Sequence, residues 1–166
     1  MGTPDVPVTA GVRRLREAGI PFTPCFYPYE ERGGTRHSAL MLGVAEHAVV
    51  KTLVMESDPR APFIVLMHGD CEVSTKALAR FLGVKAVKPC DERSAQRHTG
   101  YQFGGTSPFG TRASLPVYVE RTILDLPEIY INGGKRGFLV KIAPSELRKA
   151  LQITEVEVAI PGSGLP

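Results

Sequence analysis

Val49-Val50-Lys51-Thr52-Leu53-Val54-Met55 and Phe63-Ile64-Val65-Leu66-Met67 are two β-branched and aliphatic runs, separated by the turn cluster Ser57-Asp58-Pro59-Arg60. Apolar runs this short, bounded by turn residues, predict two buried neighbouring strands. Lys51 breaks the first run. Strand alternation puts it on the same face as Val49 and Leu53. There it is either an amphipathic lysine that snorkels from a strand end, or a fixed cation in a polar cleft that holds a phosphate or carbonyl oxygen.

Outward from this pair, Thr9 to Ala18 carries Val12 and Leu15 among Arg13, Arg14, Arg16 and Glu17. It reads as a short amphipathic helix capped by Thr9 and stopped by Gly19. Pro21 to Tyr29 suits an edge strand, because its prolines cannot serve a central ladder. Thr35 is expected to cap a helix through Leu42, closed by Gly43. On the C-terminal side, Ser74 caps a helix over Thr75–Leu82 that Gly83 ends. Val84–Val87 reads as a short strand, and Asp91 opens a helix to about His98. Thr99 to Gly110 is a loop by composition. Val117–Arg121, Glu128–Ile131 and Phe138–Ile142 read as strands, the last two joined by a hairpin turn over Asn132 to Gly137. Pro144 starts a final helix to Leu151, and Val156–Ile160 reads as a last strand. Strands outnumber helices, so the expected fold class is α/β (α+β): a mixed, largely antiparallel sheet or barrel-like core with packed helices.

The chain has 166 residues, 43% hydrophobic and 22% charged, which suits one globular domain over 1–166 with its core at about 9–151. Gly (17) and Pro (14) are plentiful without any repeat, so collagen, coiled coil and disorder are excluded. No apolar run approaches the roughly 18 residues of a spanning helix, and the N-terminus lacks the head of a signal peptide. The expected location is cytoplasmic, with no membrane partner. Cys25, Cys71 and Cys90 are odd in number and widely spaced, which favours free thiols over a disulfide framework or zinc site. The net charge is +3, and residues 85–141 hold nine basic side chains against five acidic ones. This mild bias is compatible with a polyanionic partner.

Two glycine loops stand out. Gly104-Gly105-Thr106-Ser107-Pro108-Phe109-Gly110 sets three glycines around two hydroxyls, a pattern that suits either an amide nest for an anion or a tight structural loop. It lacks the Gly-Lys-Ser/Thr ending of a Walker loop. Gly133-Gly134-Lys135-Arg136-Gly137 is either a plain hairpin turn or one that presents two cations to phosphate. His37, His47, His68 and His98 have no metal-ligand spacing and read as surface or capping residues. Ser107 lacks a nucleophile elbow. Tyr27 and Tyr101 suit either core packing or stacking on a base.

Read together, Gly19-Ile20-Pro21-Phe22 leading to Tyr27, Val50-Lys51-Thr52-Leu53, Ser74 to Gly83, Thr99-Gly100-Tyr101 and the two glycine loops resemble, in order, the YbaK-type aminoacyl-tRNA deacylases. These are relatives of the editing domain in bacterial prolyl-tRNA synthetases. The resemblance implies an enzyme that edits mischarged tRNA in trans without cofactor or metal, with Cys-tRNA(Pro) as the first substrate and Ala-, Ser- or Thr-tRNA as alternatives. It implies tRNA as partner, with prolyl-tRNA synthetase as a second one, in a monomer or weak dimer. It places the functional lysine at Lys51, the pocket tyrosine at Tyr27 and the Gly-x-x-x-Pro element at Gly104 to Pro108. In that reading Gly104 and Gly105 donate amides to the ester carbonyl, and Thr106, Ser107 and Pro108 line the site. Gly133, Gly134, Lys135 and Arg136 meet the tRNA end, and Glu146 stands where the family carries an aspartate. The resemblance also implies attack by a ribose hydroxyl or a substrate thiol, with the protein supplying position, which suits a sequence without a serine triad. A binding-only module and an esterase for another acyl or nucleotide ester are the rival readings.

Overall fold

The computed structural model describes residues 5–162. Helix α1 (Ala10–Glu17) opens as read, with Thr9 accepting the Val12 amide at 3.0 Å. Val12 and Leu15 on its inner face are fully buried. β1 (Thr23–Phe26) follows, then α2 (Gly34–Leu42), ended by left-handed Gly43. Thr35 is not the cap expected of it. The helix has already begun at Gly34, and the Thr35 hydroxyl bonds Glu46 Oε2 at 2.8 Å and Gly69 O at 3.1 Å.

β2 (Val49–Ser57), β3 (Ala61–His68) and β4 (Cys71–Val73) come next, then α3 (Thr75–Leu82) on its Ser74 cap. The predicted strand at Val84–Val87 shifts to β5 (Val87–Pro89). Gly83 turns left-handed and the Val84 amide closes back onto Ala79 O, so the helix end consumes the residue that would have started the strand. α4 (Glu92–Thr99) is capped by Asp91, and β6 (Val117–Glu120) follows the long loop.

β7 (Ile129–Lys135) continues through the stretch read as a turn. Asn132 Oδ1 accepts the amides of Gly134 at 2.6 Å and Lys135 at 3.1 Å, which makes a bulge inside the strand and leaves the reversal to Arg136-Gly137. β8 (Phe138–Ile142), a 3-10 turn over Pro144–Glu146 and α5 (Leu147–Ala150) complete this section. The last predicted strand is two, β9 (Ile153–Val156) and β10 (Ala159–Pro161). Between them the buried Glu120 carboxylate accepts the amides of Val158 at 2.7 Å and Ala159 at 3.0 Å, and the chain changes sheets.

Eight strands form one mixed sheet along the path β1-β8-β7-β2-β3-β6-β9, with β5 beside β2, while β10 pairs with β4 separately. The path ends at β1 and β9, so of the sheet and barrel alternatives the open sheet is the one formed. β1 is an edge strand, as its prolines require. β2 and β3 are antiparallel neighbours along their length. Alternate residues of the hairpin feed two cores. Val50, Ile64 and Leu66 pack with Val12, Leu15 and Phe138 on one face; Met55, Val65 and Met67 pack with Leu78 on the other.

Candidate active site

β2 is where the sheet branches. One edge pairs with β3 from Val50 to Ser57. On the other edge β7 reaches only Val49 and Val50, running parallel, and β5 reaches only Met55 to Ser57, running antiparallel. On that second edge no strand among the described residues pairs with residues 51–54. Two cavities open along this gap, of about 460 Å³ on the α2 side and about 350 Å³ on the α4 side. The first touches residues Val49 to Leu53 in succession, the second Lys51 to Met55. A cavity over one face of a strand would meet every second residue. These meet consecutive ones, so they run along the strand's open edge. Both include Lys51, Thr52, Leu53, Phe103 and Thr106, which makes them compartments of one cleft.

Lys51 stands in the middle, half-buried and without an ion-pair partner among the described residues. It borders both compartments. Tyr27, Gly104 and Thr106 share the α2-side compartment with it. Burial pushes the Tyr27 phenol upward, so it is a neutral hydrogen-bonding group at physiological pH. Its ring meets His37 edge-on, and His37 is held between Glu30 Oε2 at 3.1 Å and Pro28 O at 2.7 Å.

The two glycine loops pack on each other. A Cβ on Gly104 would strike the Tyr29 hydroxyl at 2.6 Å, and one on Gly105 would strike the Arg136 amide nitrogen at 2.8 Å. Asn132 Nδ2 donates to Gly104 O, and Arg136 Nε donates to Phe103 O at 2.8 Å while its guanidinium lies over the Tyr29 ring. Arg136 thus fastens Phe103, which remains 59% exposed where the compartments meet.

Several expected site residues are placed elsewhere. The Gly105 amide already donates to Gln102 O at 2.8 Å, so it is not a donor free for an ester carbonyl. Ser107 is fully buried, with its hydroxyl accepting the Phe109 amide, and Pro108 is buried beside it. Gly133 lies under the Phe138 ring and Gly134 against Tyr101 and Thr9, both as packing positions. Lys135 is exposed and borders neither cavity. Glu146 pairs with Lys149 Nζ at 2.5 Å, outside the cleft. Tyr101 lines the α4-side compartment but is 7% exposed and its hydroxyl donates to Phe109 O, so it is a packed wall; burial pushes its pKa up to about 12.

Thr52, Tyr29, Phe103 and Asn132 escaped the sequence reading. Each earns its place through long-range pairing, and only the glycine-loop context hinted at the last two. The histidine reading also needs correction. His68 is a core residue, 1% exposed, bonding His47 O at 2.7 Å and Thr122 Oγ1 at 2.7 Å and stacked on the His47 ring. His47, Asp70 and Cys71 gather their ligand atoms within 4.8 Å of one another, a cluster that linear spacing conceals. Burial and the Asp70 carboxylate push the Cys71 thiol up, which keeps it protonated. No helix among the described residues is long and apolar enough to cross a membrane.

The chain is similar to known proteins over most of its length. A candidate Cys-tRNA(Pro)/Cys-tRNA(Cys) deacylase of Enterococcus faecalis, EbsC, is 27% identical over 84% of this chain and 85% of its own. A proline–tRNA ligase of Streptococcus equi is 29% identical over 60% of this chain, which corresponds to 16% of the ligase. Among solved structures, a candidate trans-editing enzyme for prolyl-tRNA synthetase superposes with a TM-score of 0.76 at 21% identity, covering 91% of this chain and 99% of that one. The family profile for the aminoacyl-tRNA editing domain matches residues 34–150, the span that holds the split strand, Lys51 and both glycine loops, and the chain belongs to that family.

Proposed function

We propose that this chain hydrolyses the ester between a wrongly attached amino acid and its tRNA, acting in trans, with cysteine on tRNA(Pro) as first substrate. The observation that supports it most is Lys51, an unpaired cation beside Gly104 at the junction of two compartments, in a chain of the editing-domain family. The compartments suit the two halves of a charged tRNA end, the terminal adenosine and the aminoacyl group.

Lys51 anchors a ribose or phosphate oxygen of the terminal nucleotide, and the Gly104 segment faces the ester. With the Gly105 amide engaged, carbonyl polarisation draws on the Gly104 amide and on a second donor along the open edge of β2. The substrate's thiol attacks its own ester carbonyl. A C–S bond forms, the C–O bond to ribose breaks, and the thiol proton passes to the departing ribose oxygen. Water then adds to the released cyclic thioester, breaks its C–S bond and returns the proton to sulfur, giving free cysteine. For an amino acid without a thiol, the neighbouring ribose hydroxyl orients a water that adds to the carbonyl. Positioning of this kind is worth roughly 7–11 kcal/mol when the reacting atoms are held near attack distance. Lys135, exposed at the end of β7, steers the acceptor stem by charge.

Single-turnover deacylation of Cys-, Ala-, Ser- and Pro-tRNA(Pro) tests this reading. Fast loss of cysteine is expected, reduced by about 100-fold or more in Lys51→Ala with an unchanged fold, the scale on which a lost charge-stabilising donor acts. Preference for alanine or serine keeps the mechanism and changes the substrate. A folded protein that turns over none of them, but binds tRNA, is a binding module.

A further inference from the structure

The gap in the sheet has a chemical polarity of its own. Along an extended strand, N–H and C=O of one residue point to the same side, and successive residues alternate. Val54 O accepts the Cys90 amide at 3.0 Å, away from β3, and its cross-strand partner Ile64 donates its amide to Pro116 O, away from β2. Val54 and Ile64 therefore form a non-hydrogen-bonded pair. Two residues back, Thr52 opposite Leu66 has the same parity. Its N–H and C=O both point off β3 into the gap, where neither β7 nor β5 extends to meet them and no bond to them exists among the described residues. The Thr52 hydroxyl is also buried without a partner. A backbone donor and acceptor left open at the centre of an eight-stranded sheet is rare in folded proteins. Here they border both compartments.

We infer that the open edge at Thr52 is a main-chain recognition site for the α-aminoacyl group, which sits in the gap as a single extended residue paired antiparallel with Thr52. An α-amino acid ester carries a donor, the α-ammonium, and an acceptor, the carbonyl oxygen, on one α-carbon. The two complement the C=O and N–H of a residue in a hydrogen-bonded antiparallel pair. The α-ammonium donates to Thr52 O, and the ester carbonyl accepts from Thr52 N–H, which replaces the donor that Gly105 does not offer. Such pairing reads the backbone common to all L-amino acids. The side chain is left to the compartment walls. This inference rests on the deacylase reading and adds how that reaction holds its substrate.

The test measures single-turnover deacylation of cysteinyl-tRNA(Pro) and of 3-mercaptopropionyl-tRNA(Pro), which lacks only the α-amino group, each divided by its own uncatalysed rate. It also follows the Thr52 amide by hydrogen exchange with and without 3′-deoxy-3′-(cysteinylamino)adenosine, an amide analogue of the charged end. The expected results are an acceleration at least tenfold smaller for the desamino ester, and a Thr52 amide that exchanges quickly in the free protein and at least tenfold more slowly with the analogue bound. Equal accelerations, or a bound analogue that leaves Thr52 exchange unchanged, overturn the inference and leave the deacylase reading standing. If neither ester is turned over and the analogue does not bind, both fall. A variant sharpens the result. Thr52→Pro removes an N–H that bonds nothing among the described residues and should still fold, whereas Leu53→Pro, whose N–H serves the β3 ladder, should not. A folded Thr52→Pro protein with full turnover also overturns the inference.

Discussion

The two strands of the central hairpin both carry an apolar run and meet opposite fates. β3 is bonded on both edges, to β2 and to β6, and His68 and every residue from Phe63 to Met67 are buried. β2 is bonded on one edge throughout and on the other only at its ends, and residues 51–54 are half-buried. One strand is core, and its partner borders a cleft made by an interruption of the core. The cleft opens where the sheet fails to close, and the gap leaves backbone polar groups and a lysine between apolar walls.

The largest contrast should come from cross-strand neighbours. Leu66→Ala empties a fully buried position and is expected to cost about 2–5 kcal/mol in a denaturant titration. Its partner Thr52, changed to Val, loses only a hydroxyl with no partner and should alter stability by less than about 0.5 kcal/mol in either direction. A comparable loss from both would dissolve the distinction between core strand and open strand. Glu120→Gln keeps the shape but gives up a charged acceptor of two amides, and a loss of about 1–3 kcal/mol is expected by the same titration.

A smaller effect depends on pH. Burial lowers the pKa of His68 below its ordinary value of about 6.5 in the folded protein. The unfolded chain therefore takes up a proton first as pH falls, so stability is full above about pH 6.5 and declines as pH moves down toward the folded value. The lowered Asp70 carboxyl, held by its hydrogen bond to His47, acts in the same direction at lower pH, below its ordinary value of about 3.9. Melting temperatures between pH 7.5 and 5.5 should fall, and His68→Gln should flatten that slope. A slope unchanged in His68→Gln would place the sensitivity elsewhere.

Local signals carried much of the fold. The caps at Thr9, Ser74 and Asp91, the left-handed glycines at 43 and 83 and the apolar runs of the hairpin act within a few residues, and the helices and strands follow them. The errors share a cause. Thr35 bonds to Glu46 and Gly69 instead of its own helix, Glu120 splits a strand 38 residues away, and Asn132 turns a loop into a bulge. Each is a side chain that satisfies backbone or carboxylate groups, and no periodicity reports such a partner. In the site, Lys51 announces itself as a charge in an apolar run. Thr52 does not, because its meaning lies in which strands fall short of it.

Residues 158–159, which Glu120 fastens, and α1, which packs against Gly133 and Gly110 through Gly11, lie outside the span that matches the editing family, yet both brace its cleft. β10 holds β4, and β4 carries Glu72 and Val73 in the wall of the α4-side compartment. One wall of that compartment is therefore held from outside the matched span. If the chain acts as the proposed deacylase, substitutions in these peripheral segments offer a route to altered amino-acid preference that leaves the proposed reacting groups untouched.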